Sequence, residues 1–328
     1  MFHQTPLKTA TIALLAGGAI LYAFLTGFFG RELLTEVAIL AMLAVALDLV
    51  AGYGGMVSLC HGALYGVGAY AFAAGSLLLG WGGGAGLVMA IAAGALAAWA
   101  IGAVTARTRG IFFIMATLAF GQMGYVYVFD SPLFGGNDGL PGVARLDLTA
   151  IGIDLNNSRT FALLCVALAL LTYMVAAAVL RSGFGRTLVG IRANEGRMRA
   201  VGLPVWRYKA AAFAMSGAIA GLAGALAAQH TTYVSPGLLH WTVSGEVLVL
   251  VILGGLGTLV GAVLGAAVFV FLKHEVSGFT DHWHLVVGLV LIATVLSGGR
   301  GLYGQVEHVW TRRRDRLAAA SAHGSDHA

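Results

Sequence analysis

Apolar residues run in long blocks along this chain, and charged residues fall between the blocks. Residues 9–30, 49–106, 110–129, 160–180, 210–245, 247–272 and 282–299 contain no Asp, Glu, Lys or Arg. A helix needs about 20 apolar residues to cross a hydrocarbon core. Only helices and closed barrels satisfy their backbone there, and these blocks lack the short alternating pattern of barrel strands. The pattern predicts an all-α, polytopic helical bundle of roughly 8–10 transmembrane helices. Spans are expected at 10–29, 33–51, 63–80, 85–105, 111–129, 161–180 and 208–228, with a last one over 284–298. The first is read as a retained span, because it lacks a clear small-x-small cleavage site.

The block 247–272 is long enough for one crossing, but Gly254-Gly255-Leu256-Gly257 interrupts it. It is expected to form a broken or hairpin segment near 246–272, inward over 246–254 and outward over 258–272. Interrupted apolar segments of this kind line substrate paths in transporters. A single kinked span is the alternative, and it reverses the side on which Lys273 lies.

Cations are biased to one side of these spans, as the positive-inside rule expects. With the N-terminus inside, Lys8, Arg107, Arg109, the seven Arg/Lys of 181–209 and the tail residues Arg300, Arg312, Arg313, Arg314 and Arg316 all face the cytosol. Only Arg31, Arg145, Arg159 and Lys273 lie outside, beside Glu32, Glu36, Asp130, Asp138, Asp147 and Asp154. Both termini are therefore expected in the cytoplasm. The net charge of +5 sits in loops flanking spans, which points to membrane lipid and not to nucleic acid.

Composition agrees, with 59% hydrophobic and 10% charged residues. No G-x-x-x-x-G-K-[ST] loop is present, so the chain does not bind ATP by that route. Cys60 and Cys165 lie in apolar surroundings and read as small hydrophobes. No H-E-x-x-H motif, metal-ligand spacing or nucleophile–base constellation appears, so no catalytic or metal site is assigned. Gly217-x-x-x-Gly221 and Gly261-x-x-x-Gly265 have the spacing that lets helices approach closely in lipid.

Three segments stand out. In Gly52–Tyr70, Gly52, Gly54 and Gly55 oppose a continuous helix, and a break in a charge-free region must find backbone partners in protein or a watery cavity. Ser58 and His61 are the polar groups there. The segment is a candidate for the translocation path, together with Gln122, Gly254 and Gly255; for His61 alone a backbone carbonyl partner is the simpler expectation. Asp48 and Glu246 lie at span edges, where an ionisable group is less costly than at mid-bilayer. The second segment, 181–209, is basic. Residues 192–201 are expected to form a short amphipathic helix stopped by Gly202 and Pro204, with Ile191, Met198 and Val201 on one side. It would lie on anionic lipid or dock into a cytosolic partner. The third, Phe134–Val143, is dense in turn chemistry; it is either a contact for an extracytoplasmic partner or an ordered cap.

These residues together resemble a known family. Gly52–Tyr70, Arg109-Gly110-Ile111-Phe112-Phe113, Gly135-Gly136-Asn137-Asp138-Gly139-Leu140 and Ile191–Gly202 occur in the order seen in permease subunits of branched-chain amino acid ABC importers, of the M-type. The resemblance covers roughly residues 35–305. It implies a transmembrane permease domain over 1–310, with an extracytoplasmic loop at 130–160 and a cytoplasmic coupling loop at 181–209. A basic cytoplasmic tail, expected to be disordered, follows at 311–328. It also implies an H-type paralogous permease, two cytosolic ATP-binding subunits and a periplasmic binding protein as partners, in the bacterial inner membrane. ATP and Mg belong to the partner subunits, and this chain holds no cofactor. The family's coupling loop carries a Glu-Ala-Ala-x(3)-Gly-like signature whose ends are read as Glu195 and Gly202, with Gly196, Arg197 and Met198 in place of the usual small residues. Gly190, Arg192, Asn194, Glu195 and Gly202 are thereby the coupling residues.

A urea or short-chain amide importer would use the same permease type. An ion-driven secondary transporter would need intramembrane carboxylates as its machinery, and few are present.

Overall fold

In the computed structural model, residues 6–80, 83–147, 149, 154–280, 282–296 and 301–305 are described. The tail 311–328, with His323 and His327, and residues 148 and 150–153 of the 130–160 loop lie outside them.

The described chain is a helical bundle. Its helices are α1 (Pro6–Leu25), α2 (Phe28–Asp48), α3 (His61–Leu77), α4 (Gly83–Thr105), α5 (Ile111–Asp130), α6 (Ser158–Arg181), α7 (Gly183–Ala193), α8 (Glu195–Ala200), α9 (Val205–Thr231), α10 (Trp241–Gly254), α11 (Val260–Ser277) and α12 (Trp283–Leu296). A π-helical turn, Leu49–Tyr53, extends α2. Six segments are long and apolar enough to cross a bilayer: Phe28–Tyr53 and helices α4, α5, α6, α9 and α11. Among the described residues, Thr9–Leu25 of α1, α10 and Trp283–Thr294 of α12 are shorter apolar helices.

Helix α2 is the axis of the bundle. Every residue from Ala41 to Gly54 is buried, the all-round burial of a helix surrounded by others. It packs on α6, α9, α10 and α11. Helices α3, α4 and α9 form a second close-packed group. Small residues explain how near they come. A Cβ added to Gly94 would lie 3.0 Å from the Gly221 Cα and against the Gly217 carbonyl. The first predicted small-residue motif is thus the contact of α9 with α4.

The second motif holds the hairpin. Added Cβ atoms at Gly254 and Gly265 would press on the backbones of Gly261 and Leu250, so α10 and α11 fold back on each other there. The block 247–272 is therefore two helices, as its glycines predicted. Lys273 reaches Glu36 near the start of α2, at 3.5 Å. The hairpin tip reaches the other end of α2, where Gly257 N–H donates to Asp48 Oδ1 at 2.6 Å. Gly301 also packs on Gly254 and Gly255, so the chain beyond α12 arrives at the tip end.

At the Lys273 end, the loop after α5 is an ordered cap. Strand β1 (Leu140–Pro141) pairs antiparallel with β2 (Tyr233–Val234), which follows α9. Tyr233 donates from its hydroxyl to the Asp138 carbonyl at 2.7 Å. Gly139 has φ +68°, and a Cβ there would sit 3.0 Å from the Ser235 Cα; the turn needs glycine for both reasons. Arg145 donates to the carbonyls of Gln229 and Leu155, and Gln229 accepts from Leu146 N–H at 2.8 Å.

Candidate functional site

The break after α2 sits where its glycines predicted, and part of its backbone is tied locally and to neighbouring helices. Met56 N–H donates to the Val50 carbonyl at 2.9 Å. Leu59 N–H donates to Thr117 Oγ1 of α5 at 3.3 Å, and Gly62 N–H to Ser244 Oγ of α10 at 2.8 Å. Gly55 has φ +68°, with the Arg192 side chain packed on its face.

His61 is fully buried at the start of α3. Its partners are hydroxyls, not the backbone carbonyl expected from the sequence. Ser216 Oγ donates to the Ala46 carbonyl at 2.6 Å, so its single proton is used. The 2.7 Å contact between His61 Nε2 and Ser216 Oγ is then an N–H donated by the ring. Nδ1 is left to accept from Ser58 Oγ at 3.3 Å. This neutral network ties α2, α3 and α9 together in the interior. Ser58 and His61 are 0% exposed and face neighbouring helices in the chain taken alone. Gln122 is half-buried on α5, and its Oε1 has no hydrogen-bond partner among the described residues. Gly52, Gly54, Gly254 and Gly255 are buried around the hairpin tip, and only Gly55 is exposed.

The basic loop is two helices, not the single helix expected over 192–201. Asn194 explains the division. Its backbone is extended (φ −159°), and its side chain accepts from Arg197 N–H at 2.9 Å, so it caps α8 while ending α7. Ile191 is buried, whereas Val201 is 74% exposed, so the two do not share a face. Gly202 (φ +86°) stops α8, with its N–H on the Arg199 carbonyl at 2.9 Å. Gly202 also follows Glu195 one position later than a strict Glu-Ala-Ala-x(3)-Gly pattern would place it.

Glu195 fastens this elbow to the bundle. Its carboxylate meets Arg109 at 2.9 Å, Lys209 at 2.9 Å and Arg199 at 2.6 Å. Arg109 precedes α5 and Lys209 lies in α9, so one acid joins three elements. The Lys209 side chain is 6% exposed and that of Glu195 9%. Burial pushes the Glu195 carboxyl up, but the Lys209 hydrogen bond and the charges of Lys209 and Arg109 outweigh it and hold it below the usual value. Arg192 donates to the Gly52 carbonyl. A cavity of about 270 Å³ opens here, lined by Gly54, Gly55, Arg109, Arg192, Asn194 and Glu195 among others. The structure thus brings Gly52, Gly54 and Gly55 together with Arg192, Asn194 and Glu195. Gly190 packs under Met198, and Gln122 stands apart on α5.

The family model of the branched-chain amino acid transport system permease component matches residues 31–295. The chain belongs to that family. It is 27% identical over 330 residues to the high-affinity branched-chain amino acid transport system permease protein LivM of Salmonella typhimurium, covering 93% of this chain and 76% of that one. It is 27% identical over 308 residues to the Escherichia coli protein of the same name, covering 87% and 72%. A probable LivM of Methanocaldococcus jannaschii is 28% identical over 138 residues, 41% of this chain and 39% of that one. No solved structure matches. The matched range runs from the start of α2 to the end of α12 and so contains the break, the elbow and the hairpin.

Lys209 and Arg109 were not singled out as site residues by the sequence. Their signal was weak: a cation at the edge of a span also serves orientation.

Proposed function

We propose that this chain is the membrane-spanning permease subunit of an ATP-binding-cassette importer for leucine, isoleucine and valine. It lies in the bacterial inner membrane with both termini in the cytosol. A paralogous second permease completes the channel, a periplasmic binding protein delivers substrate at the Lys273 end, and two cytosolic ATPases dock at 181–209. ATP and Mg stay on those ATPases, and this chain makes and breaks no covalent bond. The match to the family over residues 31–295 carries this reading.

The elbow supports the assignment of the coupling loop. Residues 192–194, 196–197 and 199–200 are exposed, whereas Glu195 beneath them is pinned to α9 and the start of α5. An exposed ledge on a buried anchor can pass a push from a docked motor into the bundle. The motor shifts the permease only through differential affinity for its two states. The candidate path over Gly52–His61, Gln122, Gly254 and Gly255 is read as the wall that the second permease closes.

Proteoliposomes holding the four membrane and cytosolic subunits, with the binding protein added, test the proposal. They should take up leucine only with ATP. Glu195→Arg should cut uptake at least tenfold while the binding protein's affinity for leucine persists; a tenfold loss corresponds to about 1.4 kcal/mol of coupling. Unchanged uptake in this variant would remove Glu195 from the coupling role, and uptake of urea but not leucine would replace the substrate.

A further inference from the structure

Helix α11 begins without a cap of its own. Leu259 stands at its N-cap position and has no side-chain acceptor, although the first N–H groups of a helix need partners. Asp48 reaches the tip loop just ahead of that helix from the far side of the chain. Its Oδ1 accepts from Gly257 N–H at 2.6 Å, and the backbone of Thr258 and Leu259 also faces the carboxyl. Asp48 is 0% exposed, and its Oδ2 has no hydrogen-bond partner among the described residues. A buried carboxyl with one oxygen unused is costly to keep. It is hard to explain as an acceptor for the tip backbone alone, since an asparagine would also accept from Gly257 N–H.

The packing gives it a second role. A Cβ on Gly52 would lie 2.5 Å from Gly257 N and 2.7 Å from Gly257 Cα, so the π turn and the hairpin tip touch backbone to backbone. A Cβ on Gly257 would lie 3.4 Å from Arg192 Nη1. Arg192, largely exposed on the last turn of α7, donates to the carbonyl of that same Gly52. The end of α2, the tip of the hairpin and the coupling-loop helix therefore meet at one point.

We propose that Asp48 is a positioning residue that latches the α10–α11 hairpin tip, and that Arg192 works this latch from the coupling loop. In the arrangement described, Arg192 holds the Gly52 carbonyl and Asp48 holds the tip. When a docked motor moves α7, the guanidinium leaves Gly52 and pairs with the open Oδ2 of Asp48. That pairing competes with Gly257 N–H and frees the tip. The inference rests on the reading of 181–209 as the coupling loop.

Maleimide labelling of Thr258→Cys tests it in membranes carrying the whole transporter. Cys60 and Cys165 are buried and give little background. Asp48→Ala should raise the resting labelling rate of position 258 about tenfold, as expected when a local opening is no longer held, whereas Asp48→Asn, which still accepts from Gly257 N–H but carries no charge for Arg192, should stay slow at rest and lose the rise produced by ATP with vanadate. Asp48→Glu should restore most of the slow rate. Arg192→Gln should leave the resting rate within about twofold but abolish the rise produced by ATP with vanadate. The latch is overturned if Asp48→Ala labels as slowly as its parent, if Cys60 speeds up equally, or if Asp48→Asn or Arg192→Gln keeps the ATP-dependent rise. The resting rate needs no transport. A chain that moves no branched-chain amino acid would therefore defeat the functional reading and leave this result standing.

Discussion

A carboxylate set among Lys209, Arg109 and Arg199 titrates under their charge, and Glu195 is held below its ordinary value despite its burial. The sign of the consequence follows. A folded-state value below the unfolded one, about 4.3 for Glu, contributes stability that is complete above the unfolded value and lost as pH falls through the folded one. A spin label on Ala200→Cys should stay immobile from pH 7 down to about 5 and loosen only below about 4. In Glu195→Gln it should be mobile at pH 7 already. Loosening of the Glu195 protein between pH 7 and 5 would mean that another group anchors α8. Of its partners only Lys209 is buried, and Arg109 and Arg199 are more than half exposed, so removing the carboxylate costs less than the roughly 3–5 kcal/mol of a fully buried pair. The sequence exposed Glu195 as the lone acid of a basic loop. It did not expose its partners, because a cation's position in a row says nothing of which distant carboxylate it meets. Asp48 went unread for the same reason: at the edge of its span it looked cheap, and only the hairpin tip folded against it shows what it does.

At the level of helices, small residues were legible and their mates were not. Gly217-x-x-x-Gly221 marks a narrow face of α9, but nothing in its spacing names Ala90 and Gly94 of α4 as the surface it meets. That contact can be tested by size. A Cβ at Gly221 would lie 3.2 Å from the Ala90 carbonyl carbon and 3.3 Å from the Gly94 Cα. Backbone cannot swing aside as a side chain can. Gly221→Val should therefore destabilise the bundle by about 1–3 kcal/mol, the usual cost of overpacking. Gly18→Ala and Gly288→Ala, with nothing within 4 Å of an added Cβ, should be near neutral. Thermal unfolding in detergent separates the two cases, and equal midpoints would show that α4 and α9 can part without cost. The elbow shows the opposite limit. Its amphipathic pattern predicted helix, but the Asn194 side chain competes for a backbone N–H and starts a new one.

For the whole molecule, apolar length marked where the helices lie everywhere except 247–272, where length allowed one span and glycine allowed two. The choice fixes on which side the residues beyond 272 lie. In the hairpin, Gly257 stays at the end that carries Arg192, and Lys273 returns to the end that carries Glu36. With a single kinked span, residues beyond 272 would share the side of the 181–209 loop. Arg197 and Glu275 are both exposed and so report on this directly. A membrane-impermeant maleimide applied to intact cells stripped of their outer membrane should label Glu275→Cys and spare Arg197→Cys, and inverted vesicles should reverse the result. The cation bias predicts which is which, since the positive-inside rule would put the seven Arg/Lys of 181–209 in the cytosol. Labelling of both from one side would require α10 and α11 to run on as one helix. It would also separate Asp48 from Gly257, so the coupling contact and the topology stand or fall on the same pair of cysteines.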